Sequence, residues 1–361
     1  MAINGHKRDG DVLDDGGYDE DFPQFKKPRN ELVVAEDTAA RERKMAVAGI
    51  PRTSSMQAPI MLLTGHGGEI FCCKFHPDGS ALASAGFDRQ IYLWNVFGEC
   101  ENYAILPGHT GAILDLHFTR DGRKIITSST DKTIGVFDFM TGARIKRIKG
   151  HKQIVNSACT SPNAGPDMIC SASDDGKVMM WDLRTRNFVK SFESKYPVLS
   201  CCFNGVTDVI VSGGVDNNLK VWDLKNDQLH YSLVGHSDSV TGIALDPTGS
   251  YVLSNSMDNT ARIWDIRPFA PPQRCTRLFS GHQHNFEKNL LRCAWSKDGS
   301  RVACGSGDRF VYIWETVSAK IEYKLPGHNG SVNDVCFHPR EPIVASASSD
   351  RQIYLGEIEL S

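Results

Sequence analysis

Gly-His recurs at 65–66, 108–109, 150–151, 235–236, 281–282 and 327–328, at intervals of 42 to 46 residues with one marker missing. Self-similarity at such a period restricts the chain to a repeat architecture. Aligning SCCF (200–203) on FCCKF (71–75) puts Glu193-Ser194 where the missing Gly-His belongs, which makes seven repeats. Each has an Asp followed six residues later by a mostly aromatic position: Asp88/Trp94, Asp131/Phe137, Asp175/Trp181, Asp216/Trp222, Asp258/Trp264, Asp308/Trp314 and Asp350/Gly356. Between these markers, short runs such as IFCCKF, ALASAG and QIYLWNV alternate with turn signals such as HPDG, TRDG, DPTG and SKDG. Short apolar runs punctuated in this way read as β-strands, so the expected fold is all-β.

Composition narrows the functional classes. A net charge of −3 argues against a protein whose bulk binds nucleic acid by counterion release. No apolar run approaches the length that spans a bilayer, and MAINGHKRDGDVLDDGG has no apolar stretch of a secretory signal, so an intracellular protein is expected. The eleven cysteines include the adjacent pairs Cys72/Cys73 and Cys201/Cys202 and show no C-x-x-C spacing. They read as small apolar strand residues in a reducing compartment, with neither a disulfide framework nor a zinc site. No H-E-x-x-H, P-loop or G-x-S-x-G pattern occurs.

Gly-His at the front and Trp-Asp at the back of a four-strand repeat resembles the WD40 family of β-propellers over residues 58–361. The resemblance implies a seven-bladed WD40 β-propeller with a disordered N-terminal extension. In this family the sequence repeat is offset from the blade. The first copy therefore lends its leading strand (58–64) to the last blade, and the two ends close the ring in one sheet.

The family also gives a reading of the recurrent polar residues. A hydroxyl stands four residues before most of the turn aspartates, and in WD40 proteins such sets form buried hydrogen-bond chains. The expected network residues are His66, Ser84, Asp88, Trp94, His109, Thr127, Asp131, His151, Ser171, Asp175, Trp181, His236, Ser254, Asp258 and Trp264. The fourth repeat, without its Gly-His, is expected to have an incomplete network. A reading of His66, Ser84 and Asp88 as a catalytic triad fails on repetition, since a site needed once is not copied around a ring. No catalytic, cofactor-binding or metal-ligating residues are expected, and the protein is expected not to be an enzyme.

Partner contacts are expected on the upper rim, the face of the Gly-His loops and Asp turns. The sixth repeat carries four extra residues before its first strand, in HQHNFEKNLLRC, which present Phe286 beside Lys288. The residue after the turn Asp is Arg309, Arg351, Arg89 and Lys132 in repeats six, seven, one and two, a contiguous basic sector once the ring closes. RPFAPPQRC (267–275) lies on the opposite face as a Pro-rich covering. Residues 1–57 turn from acidic to basic and are expected to be a disordered charged tail. A short helix over EDTAARERKMAVA and a weak nuclear signal at Lys26, Lys27 and Arg29 are its two readable features.

Loop sequences are more specific than repeats. QAPIMLLTGH, SAGFDRQIYLWNV, DNTARIWDIRPFAP, HNFEKNLLRC and the closing GEI resemble the WD40 scaffolds of the spliceosomal U5 small nuclear ribonucleoprotein, which bind the large splicing factor Prp8. The resemblance implies a nuclear, non-catalytic scaffold in pre-mRNA splicing that holds large spliceosomal proteins, Prp8 foremost. Indirect or minor RNA contact, no membrane, no small-molecule substrate and no cofactor go with it. Two alternatives stay open: a substrate receptor of a cullin ubiquitin ligase, through the W-D-x-R matches at 181–184 and 264–267, and a propeller enzyme with non-repeated catalytic groups.

Overall fold

A computed structural model describes residues 53–162, 168–185 and 187–359. They form seven four-stranded antiparallel sheets, the blades of a propeller, in which six blades are built from consecutive strands. In the seventh, strand Ile60–Thr64 is the outer partner of Gln352–Glu357, with Ile60 opposite Gly356 and Thr64 opposite Gln352. The two ends of the chain thus share one ladder, and the last blade has the same four strands as the other six.

Burial follows depth in the blade. The inner three strands are buried on both faces, as in Ala81–Gly86 and Ile343–Ser348, because each blade packs against its neighbours. The outer strands face water on one side, and Arg144–Lys149 (RIKRIK) carries the charges that discourage edge-to-edge pairing. Core clusters accordingly sit at blade interfaces. One gathers Leu63, Trp94, Ile343 and Leu355 across the closure.

The closure reaches further toward the amino terminus than the repeat pattern indicates. Met56 is fully buried in that same cluster. The backbone N–H groups of Thr53 and Ser54 donate to the Glu357 carboxylate, and Ser55 donates through its N–H and hydroxyl to Glu341 at 2.7 and 2.9 Å. Residues 53–57, assigned above to the tail, are therefore a clip on the last blade; the hydrophobic anchor is a single Met with no periodic pattern to announce it. The rest of the expected tail, including Lys26, Lys27 and Arg29 and the helix over 36–48, lies outside the described residues.

The residue after each turn Asp has a left-handed backbone in all seven blades, with φ from 60° to 76°. Gly176, Asn217 and Asn259 adopt it at little cost. Arg89, Lys132, Arg309 and Arg351 adopt it too, so four cations are displayed from turns of fixed geometry.

Candidate functional site

The repeated polar residues meet inside the blades. In the first blade Trp94 Nε1–H donates to Ser84 Oγ (2.8 Å), His66 Nε2 lies 2.7 Å from that oxygen, and His66 Nδ1 lies 2.6 Å from Asp88. The third blade repeats this with Trp181, Ser171, His151 and Asp175, and the fifth with Trp264, Ser254, His236 and Asp258. With the indole donating, the hydroxyl proton goes to Nε2, and Nδ1–H is left for the carboxylate. Burial alone would raise Asp175, but bonds from His151 and the Lys152 N–H hold it down to about 2. Asp131 and Asp258 lie well below the usual carboxylate range for the same reason, through His109 and His236. Ser84, Ser171 and Ser254 are fully buried and already capped by an indole, so these triad-like sets have no space for a substrate and tie strands together instead.

The blades that depart from the pattern are wired differently. In the second, His109 joins Thr127 (2.8 Å) and Asp131 (3.0 Å), and Phe137 replaces the indole. In the fourth, expected to be incomplete, the network is in two pieces: Lys220 reaches both Asp216 and Ser194 Oγ, and Trp222 donates separately to Ser212 at 2.8 Å. A lysine ammonium thus takes over the Asp side of the missing imidazole, and no bond joins it to Ser212 among the described residues. In the sixth, Cys304 cannot take the hydroxyl's part. His282 turns to Asn255 (2.7 Å), Tyr312 OH donates to Asp308 (2.6 Å), and Trp314 donates to the Ser280 carbonyl. In the seventh, His328, Ser346 and Asp350 are joined, and a Cβ added at Gly356 would meet open space.

The enlarged loop of the sixth blade stands on the same face as the turns. Phe286 is 90% exposed at its tip, and Lys288 beside it has φ 52°. The base is held firmly. His284 N–H donates to Asn259, Gly307 N–H donates to the Gln283 carbonyl, and Asn289 donates to Ser331 (2.9 Å) in the seventh blade. Gly307 lies so close to Asn285 that a Cβ there would come within 2.7 Å of its backbone nitrogen. The loop therefore presents an aromatic ring at fixed position and leans over the neighbouring blade. Under it, burial pushes His282 and His284 down to about 4, which leaves both rings neutral.

Arg309, Arg351, Arg89 and Lys132 are exposed, and among the described residues none of the four is in an ion pair. Phe87, which precedes the turn Asp88, is 65% exposed on the same rim, and sequence reasoning missed it. The signal was present in GFD, where the other repeats place smaller or less aromatic residues before the Asp. Also missed was Arg292, whose role depends on four other blades. Its guanidinium enters the central channel and bonds the Asn156 carbonyl (2.6 Å), Ser200 Oγ (3.3 Å) and the Thr241 carbonyl (3.4 Å), and it lies 3.7 Å from Asp115. On the lower face, Arg184 and Arg267 of the W-D-x-R matches fork back onto their own Asp182 and Asp265.

Seven segments match the WD40 family profile (WD domain, G-beta repeat): 57–95, 100–138, 142–182, 186–223, 227–265, 273–315 and 319–355. The chain is 56% identical over 342 residues to the U5 small nuclear ribonucleoprotein 40 kDa protein of Mus musculus, covering 92% of this chain and 95% of that one. It is 49% identical to the protein of that name from Dictyostelium discoideum, over 99% of both chains. The pre-mRNA-splicing factor cwf17 of Schizosaccharomyces pombe is 43% identical over 86% of this chain and 90% of its own. These comparisons lend no support to the ligase alternative.

Proposed function

The chain belongs to the WD40 family of G-beta-repeat proteins, and from that premise we propose that it is a scaffold of the U5 small nuclear ribonucleoprotein in pre-mRNA splicing. The observation that carries this reading is identity of 49% to 56% over nearly the full length of relatives bearing that name. Repeat geometry alone would support many propellers, because fold does not fix function. Identity of this height over nearly the whole of both chains is what separates these relatives from other matches, such as protein tipD of Dictyostelium discoideum at 26%.

Its work is holding rather than transforming. The triad-like sets are sealed, so binding belongs to the rim, where Phe286 and Phe87 are exposed beside Arg309, Arg351, Arg89 and Lys132. An exposed aromatic on a pre-ordered loop can be buried whole in a partner's pocket without a large ordering cost, and unpaired cations orient the approach of an acidic surface. Prp8 is the proposed partner, the nucleus the proposed compartment, and RNA contact is indirect. Mass spectrometry of a tagged chain's native partners, before and after nuclease, tests this. Recovery of Prp8 and other U5 proteins in both samples is expected. Their absence, or their loss on nuclease treatment, would overturn the scaffold or the protein-contact reading respectively.

A further inference from the structure

The innermost strands leave a cavity of about 450 Å³ open toward the lower face of the channel, lined among others by Lys74, Asp115, His117, Cys159 and Arg292. Cys159 lies on the innermost strand of the third blade, Val155–Thr160, directly opposite Cys170 on the neighbouring strand Met168–Ser173. Of the eleven cysteines nine are buried, and Cys159 and Cys275 are partly exposed. Only Cys159 of these two lines the channel, and Cys170 is sealed behind it. Directly opposed residues of an antiparallel pair have Cα atoms roughly 4.5–5.5 Å apart, within the range a disulfide spans.

We propose that Cys159 and Cys170 form an oxidative modification site for small hydroperoxides, with Cys159 as the attacking thiol and Cys170 as the resolving one. The assignment of roles follows from their surroundings. The neighbouring Cys170 thiol lowers Cys159 to about 6 against burial and Asp115, and His117 and the Phe203 N–H act in the same direction as Cys170; Cys159 Sγ lies 3.5 Å from the Thr160 carbonyl. His117 is itself raised, because Asp115 outweighs burial. Cys170 moves the opposite way, raised by burial and by the neighbouring Cys159 and Cys201 thiols. The accessible Cys159 is therefore the more acidic thiol of the pair.

In the first step the Cys159 thiolate attacks one peroxide oxygen, the O–O bond breaks, and sulfur is oxidised to a sulfenic acid. The leaving oxygen takes a proton from the His117 imidazolium and departs as water, or as an alcohol from an alkyl hydroperoxide. Cys170 then attacks the sulfenyl sulfur, the S–S bond forms, and the departing hydroxide takes the thiol proton of Cys170 as water. One peroxide is reduced and two thiols are oxidised. A thiol reductant reverses the product.

The intact wild-type chain tests this without any variant. Alkylation by iodoacetamide, followed by peptide mass against pH, is expected to plateau for Cys159 near neutral pH, while free cysteine added to the same solution keeps rising through about pH 8.5. Hydrogen peroxide is expected to join the Cys159 and Cys170 peptides. C170S should stop at a dimedone-trapped sulfenic acid on Cys159, C159S should give neither product, and H117N should move the Cys159 midpoint upward. A Cys159 rate that climbs in parallel with that of free cysteine, or peroxide that oxidises other cysteines and leaves Cys159 reduced, would overturn the proposal.

Discussion

Arg292 and Asn156 meet across the central channel, where a guanidinium from the sixth blade donates to a main-chain carbonyl of the third at 2.6 Å. The same head reaches blades four and five and lies beside Asp115 of the second. Burial would raise Asp115, but Arg292 and His117 keep it well below the usual carboxylate range. Arg292→Leu should therefore destabilise the ring by about 3–5 kcal/mol, since it takes the cation from beside a buried carboxylate and leaves buried carbonyls unmet. Arg292→Lys should recover little, because a compact ammonium lacks the planar spread by which the two terminal guanidinium nitrogens reach different blades. Urea titration of both variants checks the order; a neutral leucine variant would show that the brace is dispensable.

Removal of residues 1–52 should leave the thermal midpoint unchanged. Met56→Ala should lower stability by about 2–4 kcal/mol, because a fully buried side chain at the closure is replaced by a cavity. Scanning calorimetry of the two chains checks this, and equal midpoints would remove the clip's significance.

His109→Ala should cost more than Ser194→Ala. The histidine joins Thr127 and Asp131 in the buried network, and its loss leaves both with an unmet bond worth about 1–3 kcal/mol. Ser194 offers one hydroxyl to Lys220, which still keeps Asp216 when that hydroxyl is gone. Denaturation in urea showing the reverse order would contradict the wiring described for the fourth blade.

Phe286→Ala combined with Lys288→Glu should leave the fold intact and weaken assembly into the ribonucleoprotein by roughly 2 kcal/mol, the scale of an interface hot spot. The lower-face control is Phe269→Ala alone, at a fully exposed ring. Arg274, though it lies in the same Pro-rich segment, is unsuitable. It bonds Tyr231 OH and the carbonyls of Asp265 and Arg267 and lies 4.2 Å over the Tyr231 ring, so its loss would disturb the loop itself. Pull-downs from nuclear extract, with circular dichroism of each variant, separate the faces.

Acidification should weaken the sixth blade first. His282 and His284 are lowered to about 4 in the folded chain, so their contribution is fully present above about pH 6.5, where the unfolded rings are also neutral. It is lost as pH falls toward 4, on the order of 3 kcal/mol for each ring. Asp175, held to about 2, adds a second loss between roughly pH 4 and 2. His284→Asn should shrink the first limb by about half and leave the second, which stability measured from pH 7 to 3 would reveal.

The sequence by itself determined the seven repeats, the strand-rich class, the offset closure of Ile60–Thr64 on the last blade and the partners of His66, His109, His151 and His236. The repeats, the strands and the histidine partners are short-range or periodic, and the closure of the distant ends follows from the offset that the family resemblance implies. A Gly-His, a hydroxyl and an Asp at constant spacing must meet whenever the same hairpins form, and a seven-fold copy makes the pattern legible even where single members are lost. Tertiary structure decided what depends on contacts between blades. Lys220 replaces a histidine only because Ser194 and Asp216 come within its reach, Met56 is an anchor only because Glu357 and Glu341 hold the clip before it, and Arg292 is a brace only because four other blades turn acceptors or a carboxylate toward the axis. Those positions have no period to betray them, since the geometry that gives each its role is made by residues distant in the chain.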